Sequence, residues 1–327
     1  MSLTDRICSS IARRLARDKV TVLLFHKVPV LPDPMAPDET TLAQFEQLLD
    51  FLSANYRVIP LQEAIAGLQG GRVPGGSVCI TFDDGYADWM DGAATVLRKY
   101  DAHATFFLTT GQFDGLPLWH ERIRRAIERA NGSLAGYGDH LLPLETTLQK
   151  QQATRIVEQT LKYLPLQERA QRLAELEAWA GSAPERMPRM SAAQVRELHA
   201  SGFGIGAHTV DHPILSLCSE TEARRELAVA REILEEVVGA SVDCLAYPNG
   251  RWRDFNPSHV EYARQAGYRS AVMTEGGAIN ARTSLFHIPR FTPWGTDPLR
   301  LSIQISRNIV RNQISNVPFR ERKGFSA

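Results

Sequence analysis

No stretch of the 327-residue chain approaches the ~20 consecutive apolar residues that a bilayer span requires, which excludes an α-helical membrane protein. The first twenty residues also lack the continuous apolar core of a secretory signal, because Arg6, Arg13, Arg14 and Arg17 are scattered among isolated apolar side chains. Cysteine is scarce. Cys8, Cys79, Cys218 and Cys244 show neither metal nor disulfide spacing, and two sit in apolar strand patterns, so they read as reduced thiols compatible with a cytoplasmic protein. Net charge is absent as well: 37 basic residues balance 37 acidic ones, which argues against a general nucleic-acid binder. No repeat or low-complexity linker divides the chain, and residues 1–327 are expected to form a single domain with a sizeable core.

Charge does collect at the two ends. Leu3 to Arg17 patterns as a short basic amphipathic helix with Ile7, Ile11 and Leu15 at helical spacing, and residues 300–327 read as a basic C-terminal tail containing Arg307, Arg311, Arg320, Arg322 and Lys323. Each reads first as a segment packed on its own domain and second as a peripheral contact with the inner membrane. Between the ends, apolar strand patterns at Val20–Phe25, Tyr56–Ile59, Ser77–Phe82, Ala104–Leu108, Phe203–Ala207, Val242–Tyr247 and Tyr268–Val272 alternate with helical ones such as Thr41–Ala54, Ala192–Ala200 and Glu220–Val238. Such alternation predicts an α/β fold with a parallel sheet, closed as an irregular (β/α)7-type barrel with its site at the C-terminal strand ends. The stretch 111–189 breaks the rhythm: it is rich in Leu, Gln, Glu and Arg and reads as a mainly helical insertion beside the site. It serves equally as a lid, a substrate-selecting wall, a packing module or a dimer surface, and the oligomeric state stays open. Trp119, near its start, anchors local packing or stacks on a ligand ring.

Chemistry concentrates in two stretches. Thr81-Phe82-Asp83-Asp84-Gly85 sets adjacent carboxylates at the end of the apolar run Val78-Cys79-Ile80, and the glycine can turn both toward one pocket. Two such carboxylates in a dry pocket call for a metal or a shared proton. Alone, the stretch reads equally as an Asp-Asp-Gly turn. The second, Gly202 to Pro213, is a glycine-rich strand ending in His208, with His212 four residues later, a spacing that lets two imidazoles meet one ion if the segment curls. Parallel strands would bring a carboxylate and both imidazoles together.

These motifs, T-F-D-D-G followed by H-T-V-D-H-P, resemble the polysaccharide deacetylase family, whose shared unit is the NodB homology domain of carbohydrate esterase family 4. The resemblance implies that Asp83 is the general base and that Asp84, His208 and His212 hold a catalytic divalent metal, Zn2+ first and Co2+, Mn2+ or Ni2+ as alternatives. It extends to Leu245-Ala246-Tyr247-Pro248-Asn249-Gly250, similar to a family motif whose tyrosine lies by a main-chain N–H of the oxyanion hole, and to Gly267–Ala271 and Ile288-Pro289-Arg290. Together these cover most of residues 20 to 295.

The chain also departs from the commonest family pattern, which has an Arg-x-Pro-Tyr motif that steadies the base and a late Leu-x-His motif that supplies the acid. Val22-Leu23-Leu24-Phe25-His26 resembles the late motif moved to the start of the chain, an exchange that a closed barrel tolerates because its first and last strands are neighbours. His26 is therefore the candidate acid, with His287 and His120 as weaker ones, and Arg290 the candidate replacement for the missing arginine. The implied substrate is an acetylated amino sugar in a glycan or glycolipid, attacked at its N-acetyl group. An O-acetyl sugar ester, a small cyclic amide, and an inactive carbohydrate-binding module are the alternatives.

Overall fold

The computed structural model describes residues 16–113, 115–182 and 185–311. The Leu3–Arg17 segment before Ala16 and the chain beyond Arg311 lie outside them. Strand β1 (Val20–Phe25) pairs along one flank of β3 (Ser77–Asp83), and the other flank carries the two-residue β2 (Arg57–Val58) at the start of β3 and β4 (Thr105–Leu108) at its end. A small antiparallel hairpin, β5 (Ser133–Leu134) and β6 (Leu142–Pro143), belongs to the insertion. The main sheet then continues through β7 (Gly204–Ala207), β8 (Cys244–Ala246), β9 (Ser270–Met273) and β10 (Ile288–Pro289), every pairing parallel. Past β10, Phe291 returns to β1: its N–H donates to the Val22 carbonyl at 3.1 Å, and its carbonyl accepts the Leu24 N–H at 3.0 Å. The sheet thus nearly closes into the expected irregular barrel.

The strands are apolar because both faces are covered. All seven residues of β3 are buried. Alternation sorts them: Val20, Val22, Cys79, Phe107, Val272 and Ile288 share one cluster, while Leu23, Phe25, Phe82 and Phe106 join the larger one beneath the helices. Phe82 stacks on Phe106 with centroids 4.9 Å apart and touches Phe25 and Phe45 at 5.5 Å. These rings fix the strand that ends in Asp83. Gly206 of β7 is required by close approach, since a Cβ there would stand 2.4 Å from the Phe107 ring.

Helices α1 (Leu42–Asn55), α2 (Leu61–Gln69) and α3 (Ala94–Lys99) precede the insertion, which contributes α4 (Trp119–Arg129), α5 (Thr147–Lys162) and α6 (Leu166–Trp179) around a core of its own built on Ile123, Ile127, Leu144, Val157 and Leu173. Then come α7 (Ala192–Ala200), α8 (Glu220–Val238), α9 (Pro257–Gln265) and α10 (Pro298–Val310). Capping boxes begin α1, α5, α7 and α8, where Thr41, Thr146, Ser191 and Ser219 pair with Gln44, Gln149, Gln194 and Glu222. Residues 300–310, within the segment read as a basic tail packed on its own domain or touching a membrane, form most of α10, which is tied down. Asn308 bonds the N–H and carbonyl of Gly277 at 2.7 Å each, and Lys19 Nζ donates to the Ile309 carbonyl at 3.2 Å. The buried Leu301, Ile305 and Ile309 supply the apolar stripe that a free tail would lack.

Candidate active site

Three non-glycine residues with left-handed backbones build the site: Asp84 (φ 88°), Thr209 (φ 64°) and His212 (φ 53°). Such conformations are held only where the surroundings over-determine them. At Asp84 the reversal after β3, continued by Gly85 (φ 81°), brings two consecutive carboxylates into one pocket. Thr109 Oγ1 pins the turn by donating to the Asp84 carbonyl at 3.0 Å. The loop after β7 is curled by Glu226 of α8, whose Oε2 accepts the N–H groups of Val210 and Asp211 at 2.9 and 2.8 Å, and by Thr209 Oγ1, which accepts the His212 N–H at 3.1 Å.

The result is a tight cluster of Asp84, His208 and His212, all buried, with ligand atoms within 4.8 Å of one another. Asp84 Oδ1 lies 3.5 Å from His208 Nε2 and 3.6 Å from His212 Nε2. His208 donates its other nitrogen, Nδ1, to the Ala246 carbonyl at 2.7 Å, which turns Nε2 inward. Asp84 Oδ1 is buried without a hydrogen-bond partner among the described residues. A divalent ion fits this donor set, because ligands at about 2 Å from a tetrahedral centre stand about 3.3 Å apart, close to these separations. Burial would raise the Asp84 carboxyl, but His208, His212 and His26 hold it well below the usual carboxylate range. It is therefore an anion over the whole working pH range.

Asp83 takes a different partner. Arg290, wholly buried, donates NH1 to Oδ1 and NH2 to Oδ2, both at 2.7 Å, while NH1 also reaches Thr81 Oγ1 at 3.1 Å and the guanidinium lies 5.3 Å over the Phe107 ring. Asp83 Oδ2 stands 3.9 Å from His208 Nε2, beside the cluster. His26, at the end of β1, is exposed at the mouth, its carbonyl accepting Trp89 Nε1–H at 2.8 Å, and its charge is felt by both Asp84 and His212. His120 lies on the insertion, its ring 6.2 Å from that of His212, and burial pushes it down to about 4. His287 is instead stacked on Trp252 and Phe255 at 5.1 and 5.8 Å.

Tyr247 lies just past β8 (Cys244–Ala246). Its main-chain N–H donates to the Val272 carbonyl at 3.2 Å as part of the sheet, its ring is core, stacked on Phe255 at 3.9 Å, and its hydroxyl is buried with no hydrogen-bond partner among the described residues. The neighbouring Asn249 Nδ2 is buried without a hydrogen-bond partner among the described residues. Trp119 contacts His120 and lies under Arg169, a packing position.

Four residues that motif spacing did not reveal complete the surroundings. Tyr86 donates its hydroxyl to Asp84 Oδ2 at 3.2 Å, which leaves Oδ1 facing the imidazoles. Arg189, from the end of the insertion, lies 4.3 Å over the Tyr86 ring, donates to the Asp84 carbonyl at 3.3 Å and pairs with buried Glu121. Lys27 meets Glu121 at 3.4 Å. Burial works to raise the Glu121 carboxyl, and Arg189, His120 and Lys27 reverse that and lower it. Tyr86 directly follows the Asp-Asp-Gly turn and was within reach of the motif; the other three are brought in by the fold alone.

A profile of the polysaccharide deacetylase family matches residues 70–165 and 166–271, well over half of the chain, and the chain belongs to that family. The Bacillus subtilis (strain 168) protein YxkH, which carries the provisional name of polysaccharide deacetylase, is 22% identical over 274 residues, 83% of this chain and 70% of that protein. Among solved structures, Streptococcus pyogenes deacetylase PplD in complex with acetate superposes with a TM-score of 0.60 at 19% identity, covering 88% of this chain and 98% of that one. IcaB from Ammonifex degensii gives 0.58 at 19% identity over 88% and 97% of the two chains. A de-N-acetylase from Aggregatibacter actinomycetemcomitans gives 0.54 at 18%, over 86% and 96%. At such identities the likeness establishes the shared fold.

Proposed function

We propose that this polysaccharide deacetylase is a metal-dependent hydrolase that removes N-acetyl groups from an amino sugar of a bacterial surface polysaccharide, glycolipid or their precursor. The observation that carries the reading is the pair of neighbouring carboxylates with different partners: Asp84 faces two imidazoles, and Asp83 is gripped by Arg290. Two like groups with divergent surroundings are suited to two roles. Asp84, His208 and His212 would hold a divalent ion, which supplies Lewis-acid polarisation of the acyl carbonyl and lowers the pKa of water. Asp83, oriented by the guanidinium and adjacent to the cluster, takes the proton of the attacking water.

An amide must lose an amine, and the amine leaves as a neutral molecule only when it gains a proton. His26 at the mouth is the residue on hand to give it. His26 lies on the solvent side of the cluster, where a bulky sugar would stand, which favours a glycan over a small cyclic amide. The test is acetate release from acetamido-sugar oligomers by Zn2+-loaded protein. Asp84→Ala, His208→Ala or His212→Ala should each lose stoichiometric metal, whereas Asp83→Asn should keep the metal and lose turnover. Full metal content in His212→Ala, or activity of Asp83→Asn within about tenfold of the parent, would end this assignment.

A further inference from the structure

Helix α10 has a second face. Leu301, Ile305 and Ile309 are buried in the main core, and the exposed residues of the helix are Arg300, Ile303, Arg307 and Val310, followed directly by exposed Arg311. Their spacing of three and four residues places them on one side. Ile303 is 45% exposed and Val310 61%. The helix contains no acidic residue, and none of the three arginines has an acidic partner among the described residues. The cap residue Asp297 turns its carboxylate to the helix end, where Oδ1 accepts the Arg300 N–H at 2.9 Å.

A tryptophan is presented beside this stripe. Trp294 is 60% exposed, yet both of its main-chain polar groups are held by buried Gln304, whose Oε1 accepts the Trp294 N–H at 3.0 Å and whose Nε2 donates to the Trp294 carbonyl at 2.7 Å. The Arg300 guanidinium stands 6.0 Å from the indole ring, and Trp294, Arg307, Val310 and Arg311 line one groove. The fold therefore holds a large ring out in water on a fixed backbone. A single exposed apolar residue needs no explanation, but an indole, two aliphatic side chains and three cations on one surface do.

Charge and chain path identify the occupant. Indole rings settle at the headgroup level of a bilayer, aliphatic side chains enter just beneath it, and arginines meet anionic headgroups. The chain enters the described fold at Ala16 and leaves it at Arg311, and Lys19 Nζ ties the two regions together by donating to the Ile309 carbonyl at 3.2 Å. The residues before Ala16 carry Arg6, Arg13 and Arg14 against the single acid Asp5, and those after Arg311 carry Arg320, Arg322 and Lys323 against Glu321. Both basic segments are thus joined to the fold beside the C-terminal end of α10. Cations from three stretches of sequence suit an extended plane of negative charge better than one compact acidic groove. We propose that Trp294 and the outer face of α10 form a docking surface for an anionic lipid bilayer, with Trp294, Ile303 and Val310 entering the headgroup region and Arg300, Arg307 and Arg311 meeting lipid phosphates. Thr292, two residues before Trp294, lines the cleft beside His26, so docking brings the edge of the candidate active site to the membrane.

The test is co-sedimentation of the full-length protein with vesicles of phosphatidylcholine containing about a third phosphatidylglycerol, and with vesicles of phosphatidylcholine alone. The protein should bind the first and not the second, and salt at about 0.5 M should release it. Arg307→Gln and Arg311→Gln together should weaken the apparent affinity about tenfold or more, and Trp294→Ala should do so by about tenfold. Trp294→Phe keeps an apolar ring, so it should retain most of the binding while losing much of the quenching that brominated lipids impose on the parent's tryptophan emission. All of these variants should keep the parental urea midpoint, because the altered side chains are exposed. Absence of binding to the anionic vesicles, or binding that survives both the paired arginine substitution and Trp294→Ala, would overturn the surface. A Trp294-dependent dimer formed without lipid would overturn it too, and would assign the face to a second copy of the chain.

Discussion

Arg290 and Asp83, 207 positions apart in the chain, meet as a guanidinium fork on a carboxylate with two hydrogen bonds of 2.7 Å, both side chains buried. Removing one partner of such a pair strands a charge. Arg290→Ala should therefore destabilise the protein by about 3–5 kcal/mol in urea unfolding. Arg290→Lys keeps the charge but not the fork, so it should fold and bind metal while turning over at least about tenfold more slowly, because Asp83 is no longer held in one orientation. Parental activity in Arg290→Lys would show that the fork serves stability alone.

Tyr86 sets the aim of the metal cluster. Its hydroxyl occupies Asp84 Oδ2 and leaves Oδ1 for the ion. Tyr86→Phe keeps the ring between Lys27 and Arg189 and should preserve the fold, yet weaken metal affinity by about 10–100-fold, the usual effect of losing a group that orients a ligand. Competition against a chelator measures this directly, and an unchanged affinity would assign Tyr86 to packing only.

The sequence carried those parts of the site in which one short segment both makes the backbone turn and supplies the side chain. Asp83-Asp84-Gly85 and His208 to His212 are such segments, and so is the apolar strand that ends in His26. The barrel was legible for a related reason: strands covered on both faces are apolar throughout, and their alternation with amphipathic helices leaves few topologies. Arg189, Glu121 and Lys27 were not legible because they come from three separate elements, and their meeting depends on how the insertion seats against the Asp84 loop. The setting of Tyr247 was not legible for a local reason, since the motif gives a residue type but not whether that residue's own N–H is already engaged by the neighbouring strand. The helix over residues 300–310 was not legible, because counting arginines hid the stripe of Leu301, Ile305 and Ile309 that docks it.

His26 allows the acid and the pocket wall to be told apart. An acetamido sugar needs a proton on its departing nitrogen, whereas an aryl acetate loses its phenolate without one. His26→Ala should lower turnover on the sugar by about 10²–10⁴-fold, with metal content intact, and affect aryl acetate hydrolysis far less. Equal losses on both substrates would move the acid elsewhere, with His120 next to be tried.

Glu158 should also leave a signature in stability against pH. Its carboxyl titrates near 4.5 when free and near 7 in the folded protein, raised by burial. Between those values the unfolded chain has released the proton that the folded chain retains, so the unfolded state binds fewer protons and stability falls as pH rises from 4.5 to 7, then stays at the lower level. The shift corresponds to about 3 kcal/mol at most, and partial access to water reduces this to the order of 1–2 kcal/mol. Glu158→Gln removes the titration while keeping the shape. Urea unfolding should accordingly find the variant equal to the parent at pH 4.5 and more stable by that amount at pH 8. A variant less stable than the parent at pH 8 would mean that the ionised carboxylate is held by Arg124 or Arg155 strongly enough to offset its burial.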